Sequence, residues 1–199
     1  MKRLAICFLT LLGASLPGAA QGLSVEDARA GIIAFHARIS RISCDFVQTK
    51  TSPLLAAPAV STGHLRYGRP DSLEWRYDTP FSLAFVADGA QLFVEKDGVR
   101  TPVSGQQGRL VREMTSLIIK NLAGSILSDE QAFRVEFSVS SGDVTAVLYP
   151  QKKEMRQLWE KFILHYDPDT LCATRFDMYE SAGDLTVIAF SHVRYDFSE

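Results

Sequence analysis

The sequence predicts an α+β fold: one long, curved antiparallel sheet of about ten or eleven strands, with helices gathered on one face. Three observations predict it. Between 61 and 94 the chain alternates, so that Leu65, Tyr67, Arg69, Leu73, Trp75 and Tyr77 share one face and His64, Arg66, Glu74, Arg76 and Asp78 the other. Two stretches, 24–42 and 109–122, switch to apolar steps of three and four, the spacing of an amphipathic helix. Turn pairs such as Asp88-Gly89 and Asp97-Gly98 recur between the alternating runs, as in a meander of neighbouring strands.

Taken in order, the chain begins with Lys2 and Arg3, the apolar run Leu4–Leu12, and the small residues of Pro17-Gly18-Ala19-Ala20. That is the pattern of a cleavable export signal, with an apolar run too short to span a membrane. The reading is therefore a signal peptide over 1–20 and one domain over 21–199. No cysteine stands just beyond Ala20, so the usual bacterial lipoprotein attachment site is absent, and Cys7 leaves with the signal.

Ser24, with Asp27 three residues on, opens the first helix as a capping box. Val25, Ala28, Ile32, Phe35, Ile39 and Ile42 form its stripe, and Gly31 weakens it by about 1 kcal/mol relative to alanine. The first strand spans 44–51, with Phe46 and Gln48 on one face. Residues 52–60, SPLLAAPAV, are too rich in proline for a central strand and form an apolar loop. Leu54 and Leu55 either fold back onto the core, which is the expectation, or border an opening. Strands follow at about 62–69, 72–78, 81–87, 90–96 and 98–103, with Arg69-Pro70-Asp71-Ser72 and Asp78-Thr79-Pro80 as turns.

Leu110, Met114, Leu117, Ile118 and Leu122 make the second helical stripe, with Gly124 as its stop and one more helical turn at Ser128-Asp129-Glu130. Strands return at 133–139 and 144–149, joined through Ser141-Gly142-Asp143. Residues 151–160 mix basic and acidic side chains and read as a solvated segment. Strands at 162–166, 172–180 and 185–197 close the chain. Helices before and in the middle of so many strands place the fold in the α+β class, and a sheet of this size curls. Curled and plugged by helices, it becomes a half-barrel with a lid.

Removing 1–20 from the 199 residues leaves 179, enough for one domain with a substantial core. Without Lys2 and Arg3, 19 basic residues face 23 acidic ones, a net charge of −4 with histidine neutral. Nothing in that balance suggests nucleic acid as a partner. Of the two remaining cysteines, Cys44 and Cys172, an oxidising compartment permits a disulfide, and two buried thiols are the alternative.

Catalytic patterns are missing from the sequence. There is no glycine-rich phosphate loop and no G-x-S-x-G elbow. His36, His64, His165 and His192 lack zinc-binding spacing, Asp167 and Asp169 fit a hairpin turn, and Glu74 with Asp78 falls on the polar face. The reading is a protein that is not an enzyme and uses no cofactor or metal. Arg69 stands out among the aromatic residues: strand alternation turns it inward, whereas its place at a turn would let it face water.

The ordered motifs F-x-Q (Phe46, Gln48), G-x-L (Gly63, Leu65), R-P (Arg69, Pro70), L-x-W (Leu73, Trp75), Pro80, D-G (Asp88, Gly89) and L-Y-P (Leu148–Pro150) span nearly the whole chain after the signal. In order and spacing they resemble the LolA family of periplasmic lipoprotein carriers. The resemblance implies a strongly curved antiparallel sheet, an incomplete β-barrel, capped by helices that enclose a hydrophobic cavity. It implies a monomer in the periplasm that takes acylated lipoproteins from an inner-membrane ABC transporter and passes them to an outer-membrane receptor. A carrier of another lipid, or a sensor or scaffold of the same fold, is the alternative. Residues expected at the cavity are Phe46, Leu65, Tyr67, Leu73, Trp75, Tyr77, Phe85, Ile32, Phe35, Ile39, Leu117 and Ile118. The resemblance also turns Arg69 inward, as the latch that holds the lid closed. The cysteine pair and the loop at 52–60 have no counterpart in the family pattern.

Overall fold

A computed structural model describes residues 23–122, 125–140 and 143–198. The expected signal segment, the stop at Gly124, the Ser141-Gly142 turn and the side chain of Leu110 lie outside the described part. Eleven strands form one antiparallel sheet: β1 (Ile39–Thr51), β2 (Ala59–Gly68), β3 (Ser72–Thr79), β4 (Leu83–Asp88), β5 (Gln91–Lys96), β6 (Val99–Pro102), β7 (Phe133–Ser140), β8 (Asp143–Pro150), β9 (Trp159–Tyr166), β10 (Ala173–Glu180) and β11 (Leu185–Phe197). Their order is β6-β5-β4-β3-β2-β1-β11-β10-β9-β8-β7, so two meanders meet along the 13-residue strands β1 and β11, and the sheet is not closed. The α+β class and the unclosed antiparallel sheet are as the sequence predicts.

Helix α1 (Val25–Arg38) starts as expected, with the Asp27 amide donating to Ser24 Oγ at 3.1 Å. It ends four residues earlier than the stripe suggested. Ile39 takes extended angles and opens β1, so Ile39 and Ile42 belong to a strand. A register shift between Ile39 and Arg41 in the pairing with β11 brings both isoleucines inward, and a bulge of this kind imitates the three-residue step of a helix. Gly31 lies close under Leu171: a Cβ there would stand 2.7 Å from Leu171 Cδ1, so the tip of that leucine would have to shift.

Helix α2 (Gly105–Leu122) begins earlier than expected and is followed by a 3-10 turn at Ser125–Ser128. The segment read as solvated carries the short helix α3 (Lys153–Arg156), which buries Met155, and β9 then starts at Trp159 with its indole buried. The loop at 52–58 also departs from expectation. Leu54 is 93% exposed and Leu55 exposed as well, while Pro53 lies beside Gly183 in the β10–β11 turn.

The concave face is the core. Phe46 stacks obliquely on Trp75 at 4.6 Å and meets Tyr77 edge-on at 5.4 Å. Phe162, Phe176, Phe133 and Trp159 form a second aromatic group under the other half of the sheet. On the convex face the even positions of β2 and β3 pair as charges. Arg76 bridges Glu74 and Glu95, and Arg66 and Arg100 flank that pair.

Candidate functional site

Helix α2 lies over the half of the concave face built from β1, β3, β4, β10 and β11, and a cavity of about 220 Å³ remains between them. Leu73, Trp75 and Tyr77 on β3 and Phe85 on β4 form one wall. Phe176, Met178 and Ile188, from β10 and β11, form the opposite one. The helix supplies Val111, Met114, Thr115 and Ile118 as the roof, at the three- and four-residue steps that keep them on one face. Lining of this kind accepts hydrocarbon, with Met side chains able to adapt to its shape. The volume is below the range of about 300–1,000 Å³ in which pockets enclose a drug-sized ligand, so a long-chain occupant requires α2 to move outward.

Five of the twelve residues expected at a cavity line it: Leu73, Trp75, Tyr77, Phe85 and Ile118. Phe46, Leu65, Tyr67 and Leu117 are buried behind or beside them in the continuous core. Ile32, Phe35 and Ile39 sit elsewhere. Helix α1 packs against β7 and the 3-10 turn at Ser125–Ser128, and Phe35 packs its ring against Tyr195 and Phe197 at the end of β11. Among the described residues, α2 lines this cavity and α1 does not. Phe176, Met178 and Ile188 were missed because their wall exists only once β11 has paired with β1, a contact between the two ends of the chain.

The cavity has one polar edge. Tyr77 Oη donates to Gln48 Oε1 at 2.9 Å. Burial raises the Tyr77 pKa, opposed by the neighbouring indole of Trp75 and by Gln48. Trp75 itself is 3% exposed, and its buried indole N–H is directed toward the Tyr77 hydroxyl.

Arg69, at the end of β2, reaches the C-terminal end of α1. Nη2 donates to the His36 carbonyl at 2.9 Å, Nε donates to the Ile39 carbonyl, and the backbone amide donates to Ser40 O at 2.9 Å. The Arg69-Pro70 and Thr79-Pro80 peptide bonds flanking β3 are both cis. His36 stands beside this contact. It is 1% exposed, and its Nδ1–H donates at 3.1 Å to the carbonyl of Leu122, the last residue of α2. Its pKa is lowered by burial, which outweighs the carbonyls of Leu122 and Leu171; the Arg69 charge adds to the lowering. One short region thus joins the end of α1, the end of α2 and the β2–β3 turn. His36 had no distinguishing signal in the sequence, since a lone histidine on a helix carries none.

Cys44 and Cys172 are free thiols, and both lie near Tyr195. Burial, with Asp45 adding to it, pushes the Cys44 thiol up to about 12. Among the described residues no group of three or more His, Cys, Asp or Glu side chains could hold a metal ion. Glu74 is held by Arg66 and Arg76, and Asp167 Oδ1 accepts from the amides of Asp169 and Thr170, as in an ordinary turn.

The family of the outer membrane lipoprotein carrier protein LolA matches residues 37–198 of the chain. No curated protein matches it. Similar solved structures include a DUF1329 family protein from Desulfovibrio piger, at 11% identity, 86% of this chain, 93% of that one and a TM-score of 0.46. A LolA superfamily protein from Nitrosomonas europaea is 9% identical over 89% of this chain and 96% of that one, with a TM-score of 0.44. The lipoprotein LppX of Mycobacterium tuberculosis is 9% identical over 88% and 99%, with a TM-score of 0.46.

Proposed function

The chain belongs to the LolA family, and we propose that it is a periplasmic carrier, exported by a signal peptide over 1–20. It binds the acyl chains of lipoproteins released from the inner membrane by an ABC transporter and delivers them to an acceptor at the outer membrane. The observation that carries this reading is the apolar cavity between α2 and the concave sheet. One acyl chain anchors a protein only marginally, whereas two or more make escape into water negligible unless the chains stay covered. Each methylene moved out of water is worth about 0.8 kcal/mol, so a carrier competes with a membrane only by offering an apolar surface of comparable extent.

A partly filled interior under a single helix suits a cargo that must be taken up and surrendered. Arg69 acts as the latch in this proposal. Its bonds to the His36 and Ile39 carbonyls tie the β2–β3 turn to the end of α1, beside the point where α2 ends. Unlatching frees α2 to swing away from Met114 and Ile118 outward, widening the cavity.

Gentle purification from the periplasm followed by native mass spectrometry tests the proposal. Co-purified acylated cargo, or uptake of a fluorescent fatty-acyl probe displaced by a lipopeptide, is the expected result. Ile118→Trp, which fills the cavity from its roof, abolishes uptake while the fold persists. Arg69→Leu alters loading or release and leaves far-UV circular dichroism unchanged. Absence of uptake by the wild-type protein overturns carriage in favour of a sensor or scaffold role.

A further inference from the structure

We infer that the convex face of the sheet carries a binding site for a phosphoryl group, centred on Ser43 between Arg66 and Arg194. The inference does not rest on the lipid-carrier reading, because this site and the cavity under α2 lie on opposite faces of the sheet. Three observations carry it.

The first is register. β1 is the middle strand of the sheet, and Ser43 pairs with Arg66 on β2 and with Arg194 on β11. Ile42 and Cys44 turn inward, so Ser43 and the two paired arginines share the convex face. Neighbouring strands stand about 5 Å apart, which sets the two arginine backbones about 10 Å apart with the serine between them. Two guanidinium groups can therefore converge over one hydroxyl. The second is the shape of the surface. Clefts of about 570 Å³ and 330 Å³ open here, and Ser43, Arg66 and Arg194 line both. Arg41 joins them in the smaller cleft, and His64 and His192 in the larger.

The third is charge. Elsewhere on this face Arg76 lies between Glu74 and Glu95, and Arg175 forks onto both oxygens of Asp177. Around Ser43 that matching fails. Among the described residues the guanidinium groups of Arg41 and Arg194 have no ion-pair or hydrogen-bond partner, and Arg66 gives Nη1 to Glu74 at 3.2 Å. Of the carboxylates in the clefts, Asp45 is held by His192 Nδ1 at 2.8 Å, and Asp196, opposite Arg41 in register, makes no ion pair among the described residues. An external anion supplies the missing partner. A phosphomonoester offers three terminal oxygens and about two negative charges near neutral pH, enough for a fork from each of two arginines and for the serine hydroxyl. A carboxylate, with two oxygens, fills one fork. The chain as a whole is acidic, with a formal net charge of −2, so an anion gathers at Ser43 through these side chains and not through the overall field.

The probes are inorganic phosphate, followed by calorimetry, and vesicles of equimolar phosphatidylcholine and phosphatidic acid, followed by flotation. Phosphatidic acid carries its phosphate as a monoester. Both are run at neutral pH and physiological salt, where exposed charges more than about 8 Å apart are largely screened. The wild-type protein is expected to bind phosphate saturably, one per chain. Arg194→Gln weakens that binding about tenfold or more, the range of one charge-assisted hydrogen bond, with far-UV circular dichroism unchanged because Arg194 is exposed. Arg134→Gln removes the same charge from the edge strand β7 and leaves the affinity as in the wild type. Phosphate binding without flotation makes the free ion the occupant, and flotation that Arg194→Gln abolishes makes it a lipid headgroup. Absence of both, or binding that Arg194→Gln leaves intact or that Arg134→Gln lowers equally, overturns the site.

Discussion

Replacing His36 by leucine isolates the contact between the two helices. The imidazole is buried, its Nδ1–H donates to the Leu122 carbonyl at 3.1 Å, and its Nε2 is buried without a partner. Leucine forfeits the bond, about 0.5–1.5 kcal/mol, and leaves the carbonyl at the end of α2 without its donor, which raises the loss toward about 1–3 kcal/mol. It also relieves the unpartnered Nε2, so the net loss at pH 7.5 falls near the lower end, about 1 kcal/mol. The pH dependence is the sharper signature. Burial lowers the folded-state pKa of His36 beneath its ordinary value of 6.5. Above pH 6.5 the folded and unfolded chains both carry neutral imidazole. Below it the unfolded chain takes up a proton that the folded chain refuses, so wild-type stability declines as pH falls, until the folded pKa is passed. Over that window the slope approaches about 1.4 kcal/mol per pH unit. Leucine carries no such term, and the other histidines cancel in the difference between the two proteins. Urea unfolding of wild type and His36→Leu at pH 7.5, 6.5 and 5.5 should show the gap narrowing as the pH falls below 6.5. A gap of the same size at pH 7.5 and 5.5 would refute the assignment. The amides of the last turn of α2 should meanwhile exchange faster in the variant at neutral pH.

Two further outcomes follow from the packing. Gly63→Ala places a Cβ 1.9 Å from the Arg76 carbonyl oxygen and 2.8 Å from the Phe46 ring, at the register shift between β2 and β3. Backbone cannot yield as a side-chain tip does, so a loss at or above the upper end of the overpacking range, about 3 kcal/mol, is expected in thermal unfolding. A melting temperature equal to wild type contradicts that geometry. The Cys44 thiol, raised to about 12 and buried, should resist alkylation at pH 8 in the folded protein and react after unfolding. Peptide mapping that finds Cys44 labelled as fast in the folded as in the unfolded protein contradicts its burial.

The concave face of β2 and β3 was legible from alternation alone, because a strand with one buried face must repeat every second residue. Leu65, Tyr67, Leu73, Trp75 and Tyr77 point inward for that reason, and His64, Arg66, Glu74, Arg76 and Asp78 form the charged outer surface. Helix α2 was legible from Met114, Leu117, Ile118 and Leu122. The end of α1 was not. Ile39 and Ile42 keep helical spacing inside a bulged strand, and only pairing with β11 tells the two conformations apart. The exposure of Leu54 was equally hidden, since an apolar loop gives no sign of which neighbour it will rest against.

The sequence alone determined the periods, the turns and hence the α+β class, because these depend on residues a few positions apart. Its motif order also pointed to the family. The tertiary structure decided what the inward faces enclose. Pairing of β1 with β11 brings Phe176, Met178 and Ile188 to the same cavity as Trp75 and Tyr77, and α2 roofs the gap while α1 packs against β7. It also decided which polar atoms are buried: the Trp75 indole N–H beside Tyr77, and His36 Nε2, without a partner, beside the latch. Long-range contacts set both outcomes, and no local pattern encodes which distant side chains will meet.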